Sequence, residues 1–174
     1  MFSGGECTVW KDELYDDIAY VKSMGYAVKV DTNGTNPELI KRLIDDGLID
    51  YVAMDLKCPN DNKFFDMFTY SAAKYGKTLE TLDILKNSGV NYEVRTTVHP
   101  DITNEKDINN IISYLKNSGY KGKYFIQFYF DVPHTLREVN HKPRRFRTED
   151  LIDASPDIKV EFRNEMDNIS RHNE

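Results

Sequence analysis

Tyr51-Val52-Ala53-Met54-Asp55-Leu56-Lys57 is the stretch on which the fold turns. Its near-continuous apolar run suits a strand buried on both faces, as in parallel sheets, and it ends in an acid and a base. Upstream, Asn36-Pro37-Glu38 opens a helix, with Asn36 as cap and Pro37 at its first position. That helix runs to about Asp46 with Leu39, Ile40, Leu43 and Ile44 inward, and Gly47 ends it. Further back lie a strand over Tyr26–Asp31, a turn at Asn33-Gly34, and a helix from about Asp12 to Met24 stopped at Gly25. Met1-Phe2 reads as the end of a buried strand running into a glycine turn.

Downstream, residues 60–75 carry Phe64, Phe65, Phe68 and Tyr70 without a clear period and read as an irregular excursion. A helix over about Thr78–Asn87, a strand over Asn91–Val98, a helix capped by Asn104 and running to about Asn117, and a strand over Lys123–Phe130 follow. Beyond Phe130 the pattern weakens to a short helix near Glu149–Asp153 and a short strand near Lys159–Phe162. Strand and helix alternate throughout, which predicts an α/β fold with a parallel sheet and right-handed crossovers, either doubly wound or a barrel. No Gly-x-Gly-x-x-Gly follows the first strand, which argues against a dinucleotide site.

A chain of 174 residues can bury a real core, and its apolar runs are strand-sized, so no membrane partner is expected. The absence of a signal-peptide pattern points to a cytoplasmic protein. A net charge of −6 argues against nucleic acid as a partner. The basic run Lys142-Pro143-Arg144-Arg145-Phe146-Arg147 goes against that balance and reads as a solvated loop or a surface for an acidic partner. Cys7 and Cys58 form no C-x-x-C spacing and fall short of the three or four thiolates of an iron–sulfur site.

In parallel βα folds chemistry gathers at the C-terminal ends of the strands. Those ends carry Gly4, Gly5 and Glu6, then Asp31, Thr32 and Asn33, then Asp55 and Lys57, then Arg95, Thr96, Thr97 and His99, then Gln127, Asp131 and His134. Adjacent glycines bring bare peptide dipoles close to a ligand, although Gly-Gly-Glu alone also fits an ordinary strand-to-helix loop. Asp31 and Asp55 end neighbouring strands and call for a cation or a proton between them. Lys57 and Arg95 are the matching anion binders. The rim fits a zwitterionic ligand.

Phe2-Ser3-Gly4-Gly5-Glu6, Val30-Asp31-Thr32-Asn33-Gly34-Thr35-Asn36-Pro37, Tyr51–Lys57 and Arg95-Thr96-Thr97-Val98-His99-Pro100, in this order and spacing, resemble the radical S-adenosylmethionine (SAM) superfamily. Within it the chain resembles glycyl-radical activating enzymes, above all the activating proteins of anaerobic ribonucleoside-triphosphate reductase. The resemblance implies a partial parallel (β/α) barrel over residues 1–130, with 131–174 as a C-terminal extension. It implies SAM as cofactor, held through Gly4, Gly5, Glu6, Asp31, Thr32, Asn33, Asp55, Lys57 and Arg95, with His134 near the ribose. It further implies a monovalent cation on Asp31 and Asp55, a glycyl-radical enzyme as partner, and a [4Fe–4S] cluster. The family's C-x-x-x-C-x-x-C loop would lie before Ser3, and Cys7 stands where relatives have proline. The expectation is therefore a truncated or split member without its first βα unit, holding no iron–sulfur ligands. It would act as an activating enzyme when completed from elsewhere, or as a cluster-free SAM-binding remnant.

Overall fold

The computed structural model describes residues 1–57, 71–130, 140 and 143–164. Its main elements are α1 (Lys11–Ser23), β1 (Lys29–Thr32), α2 (Pro37–Asp45), β2 (Tyr51–Asp55), α3 (Ala72–Asn87), β3 (Asn91–Val98), α4 (Glu105–Asn117), β4 (Gly122–Phe128) and β5 (Ile158–Arg163). Two short 3₁₀ helices, Cys7–Trp10 and Thr148–Asp150, are the other elements among the described residues. The five strands lie in one sheet in the order β1-β2-β3-β4-β5, the parallel α/β arrangement that the alternation predicts. The chain divides into two compact units, Met1–Arg95 and Thr96–Glu174.

In the first unit, local chemistry sets the helix ends. Asn36 accepts from Leu39 N at 3.4 Å and Pro37 occupies the first turn of α2, where its missing N–H costs nothing. Leu39, Ile40 and Leu43 form the buried stripe of that helix, each side chain stabilising by roughly 1.5–3 kcal/mol. α3 begins at Ala72, earlier than the apolar pattern predicts, because Ser71 caps it by accepting from Lys74 N at 3.2 Å. The aromatic cluster Phe64, Phe65, Phe68 and Tyr70 lies outside the described residues. Phe2 does not extend into a full strand. It makes one parallel bridge to Val30, with Phe2 N donating to Lys29 O and Asp31 N donating to Phe2 O.

The register of this half of the sheet separates its two faces. Lys29 pairs with Tyr51, Asp31 with Ala53 and Asp55 with Arg95, while Ala53 pairs with Glu93. Side chains alternate along a strand, so Lys29, Asp31, Tyr51, Ala53, Asp55, Glu93 and Arg95 share one face. Val30, Val52, Met54 and Val94, all fully buried, share the other. The expectation that β2 is buried on both faces holds at its centre, where Val52 and Met54 on one side and Ala53 on the other are fully buried. Its polar ends Tyr51 and Asp55 are half-buried, and only the small Ala53 is apolar on that face.

In the second unit, Asn104 and Asp107 form a reciprocal capping box on α4, and Ile108, Ile111, Ile112 and Leu115 are its buried stripe. β5 comes from the segment read as an extension and pairs in parallel with β4 from Gly122↔Ile158 to Gln127↔Arg163. The basic run is not simply solvated. Arg144 makes a bidentate pair with Glu105 at 2.8 and 2.7 Å, and Arg147 N donates to Glu105 Oε1 at 2.7 Å. Phe146 is buried and meets Phe128 edge-on at 5.7 Å.

The Arg144 hydrogen bonds hold the Glu105 carboxyl down from the usual 4.5 to about 2. A folded-state value below the unfolded one adds stability that is fully present above pH 4.5 and lost as pH falls towards 2. Because Arg144 is 42 % exposed, solvent screening reduces the gain to about 1–2 kcal/mol. Urea titrations at pH 7 and pH 3 are expected to show Glu105→Gln costing that amount at pH 7 and less at pH 3. An equal cost at both pH values would remove the ion pair as its cause.

Candidate functional site

The glycine turn is open. Gly4 (φ +98°) and Gly5 (φ +53°) adopt conformations that favour glycine, and a Cβ on either would meet nothing within 4 Å. A cavity of about 270 Å³ lined in part by Phe2, Ser3, Gly4, Cys7 and Trp10 reaches this turn. The loop is tied down by side chains rather than by a strand ladder. Glu6 Oε1 accepts from Thr8 N at 3.2 Å, Thr8 Oγ1 at 2.6 Å and Thr32 Oγ1 at 2.8 Å, while Oε2 accepts from Asn33 N at 2.6 Å. Glu6 thus latches the loop onto the end of β1, and Oε2 keeps acceptor capacity for one more donor.

Thr32 and Asn33 serve the turn after β1. Thr32 Oγ1 also accepts from Gly34 N at 3.0 Å, and Asn33 Oδ1 accepts from Thr35 N and Oγ1 at 3.0 and 2.7 Å. Buried Thr8 was not legible as a site residue. Its signal was its position two residues after Glu6, where a hydroxyl and an N–H can both reach one carboxylate.

Cys7 is buried, and its thiol donates to Asp31 O at 3.3 Å. Burial, then the Glu6 charge, raise its pKa to about 11, so the sulfur is a protonated thiol near neutrality. With Cys58 the only other cysteine in the sequence, the chain falls short of the three or four thiolates of an iron–sulfur site. Among the described residues no group of three or more His, Cys, Asp or Glu side chains could hold a metal ion. Cys58 and His134 lie outside the described residues.

Asp31, Asp55 and Arg95 meet on the polar face. Arg95 NH2 lies 3.0 Å from Asp31 Oδ2, and its Nε donates to Asp55 Oδ1. Burial works against the charge on Arg95, but the Asp55 hydrogen bond and the two carboxylates outweigh it and hold the guanidinium above its usual value. Lys29, which shares that face at the position two before Asp31, sits 3.2 Å from Asp31 Oδ1. That approach is close enough for charge attraction yet misaligned for a hydrogen bond, so Oδ1 is a buried oxygen with no hydrogen-bond donor. Ser3 Oγ lies 3.5 Å from Asp31 Oδ2, bringing the glycine loop beside this cluster. Lys57 is exposed just past β2.

Residues 1–115 match the family model described as the Radical SAM superfamily. The chain belongs to the radical SAM superfamily. This radical SAM chain is 40% identical over 119 residues to a Methanocaldococcus jannaschii protein named "Putative glycyl-radical enzyme activating enzyme MJ1227", an alignment covering 67% of the chain and 50% of that relative. The chain thus spans about half the length of the curated relative it matches. Its fold is similar to that of a solved domain of pyruvate-formate lyase-activating enzyme from Bacteroides vulgatus, with a TM-score of 0.61 and 16% identity, covering 75% of this radical SAM chain and 80% of the other. No helix among its described residues is long and apolar enough to cross a membrane.

Proposed function

We propose that this chain carries the SAM-binding part of a glycyl-radical activating enzyme whose partner is a glycyl-radical enzyme such as anaerobic ribonucleoside-triphosphate reductase. In such enzymes SAM cleavage yields a 5′-deoxyadenosyl radical that abstracts hydrogen from a glycine of the partner. The observation that carries the reading is the open Gly4-Gly5 backbone next to Glu6 Oε2, which keeps acceptor capacity for one more donor. Bare carbonyls and carboxylate oxygens suit the cationic methionyl head of SAM, and Lys57, past the end of β2, suits its carboxylate. These residues bind and orient; none of them needs to exchange a proton with the ligand. The donor set does not fit a [4Fe–4S] cluster, so no step through one is assigned to these residues.

The test is SAM binding by calorimetry. Lys57→Ala is expected to leave thermal unfolding unchanged and to weaken SAM about tenfold, or about 1.4 kcal/mol. A wild-type chain that does not bind SAM would sink the reading. Cys7 and Cys58, too few for a cluster and not in C-x-x-C spacing, favour a second reading, a SAM-binding module without a cluster of its own. Anaerobic iron–sulfide reconstitution followed by EPR separates the two. A four-iron signal that shifts on adding SAM excludes the cluster-free module.

A further inference from the structure

We infer that Arg95 is the resident cation of this site, taking the place between Asp31 and Asp55 that a monovalent metal ion would otherwise fill. The inference concerns the same SAM-binding rim and rests on the reading above for its consequence on ligand affinity. Three observations carry it. The guanidinium contacts both acids, through NH2 on Asp31 Oδ2 at 3.0 Å and through Nε on Asp55 Oδ1. The pair is well shielded, with Arg95 14 % and Asp31 11 % exposed, so the contact is not a loose surface pairing. The local charge is already balanced, because Arg95 and Lys29 together offset Asp31 and Asp55.

The sheet register explains why arginine can do this. β1 and β3 both flank β2, which puts them roughly 10 Å apart at the usual strand spacing. Arg95 starts on β3 beside its register partner Asp55 and crosses over β2 to reach Asp31 on β1. The residue it must pass on that face of β2 is Ala53, the register partner of Asp31, whose methyl leaves the path open. A planar fork with several donors can hold two carboxylates at once, whereas a lysine ammonium is a single point charge on a more loosely positioned stem. A metal ion entering between the acids would have to displace the guanidinium and face its positive charge nearby. The residues present therefore do not fit the monovalent cation that the family resemblance implies for this position.

The consequence is a SAM site whose acids are arranged without a dissociable ion. Thermal unfolding of the chain in equal concentrations of potassium, sodium and choline chloride tests it without any ligand. Wild type is expected to melt within about 1 °C in all three, since an ion that binds only the folded state raises Tm. A rise of several degrees in potassium or sodium over choline overturns the inference. Arg95→Gln is expected to lower Tm by about 5–10 °C in choline, because it leaves the shielded Asp31 and the half-buried Asp55 without the guanidinium that bridges them. Potassium or sodium is expected to restore part of that loss, and an unchanged Tm in choline overturns the assignment.

Should Arg95→Gln not fold, the wild-type chain is desalted and its retained potassium counted by mass spectrometry. Retention near one equivalent overturns the inference, and a trace supports it. SAM affinity measured in potassium and in choline forms the last arm. Values within about twofold of each other support an ion-independent site, and a tenfold gain in potassium overturns it. A chain that binds SAM in neither salt removes the proposed function, while the melts still decide the role of Arg95.

Discussion

Gly34→Val is expected to destabilise the chain by about 3–5 kcal/mol, read as a lower urea midpoint with the slope unchanged. Gly34 sits at φ +73°, where a β-branched residue is strained by roughly 1–2 kcal/mol. Space is the second cost. A Cβ there would lie 3.3 Å from Thr81 Cβ, 3.4 Å from Thr78 Cα and 3.5 Å from Met54 Cε, and the two further methyls of valine deepen the conflict. These neighbours cannot give way freely. Thr81 Oγ1 donates to Gly34 O at 2.7 Å and Thr78 Oγ1 donates to Asn33 O at 3.0 Å, so α3 is bonded to the turn after β1 on both sides of the glycine. Gly47 supplies the control, with φ +65° and nothing within 4 Å of its Cβ position. Gly47→Val is expected to show the strain alone. Equal losses at the two positions would rule out crowding at Gly34.

Glu6→Ala is expected to cost about 2–4 kcal/mol of stability and at least a tenfold loss of SAM affinity. Four donors lose their acceptor at once, and two of the side chains concerned, Thr8 and Thr32, are 1% and 2% exposed, where water replaces the carboxylate poorly. Glu6→Gln keeps the shape but turns an N–H₂ towards N–H or O–H donors, so it is expected to fall between alanine and wild type. Calorimetry with SAM and urea unfolding of the same samples separate two roles. If Glu6→Ala loses affinity while its stability stays at the wild-type value, the carboxylate acts on the ligand and does not latch the loop.

What the amino-acid order made legible was mostly local. Asn36 before Pro37, and Asn104 three residues before Asp107, each carry their cap within one turn, and α2 and α4 begin there. Asn91–Val98 is a strand because its β-forming residues are contiguous. α3 was read too short because Gly76 interrupts its first turns and its buried face is built partly from Thr78 and Thr81 rather than from aliphatic residues. That strand-end residues of the first unit gather was legible from parallel topology, as Asp31, Asp55 and Arg95 show. Their partnerships were not. Arg95 reaching Asp31 depends on strand register and on the smallness of Ala53, which no local pattern encodes. That Glu6 also accepts from Thr8, Thr32 and Asn33, and so ties its loop to the end of β1, was not legible. The pairing of Arg144 with Glu105 joins residues far apart in sequence, so the basic run looked solvated until the fold brought α4 to it.

The clamp between Arg144 and Glu105 bears on how the second unit forms, as well as on how stable it is. β4 and β5 are parallel, so they cannot be joined by a tight hairpin, and their pairing must wait for a long connection to close. Closing such a connection in one event is slow, because chain entropy is lost before any contact offsets it. Arg144 and buried Phe146 lie between the two strands in sequence, and they fasten the connection onto Glu105 and Phe128 part-way along. The expected order is α4 first, the clamp next and β5 last, which would divide one long search into two shorter ones. Loss of the clamp should then slow refolding more than it speeds unfolding, a division that stopped-flow measurements on Arg144→Gln would read directly.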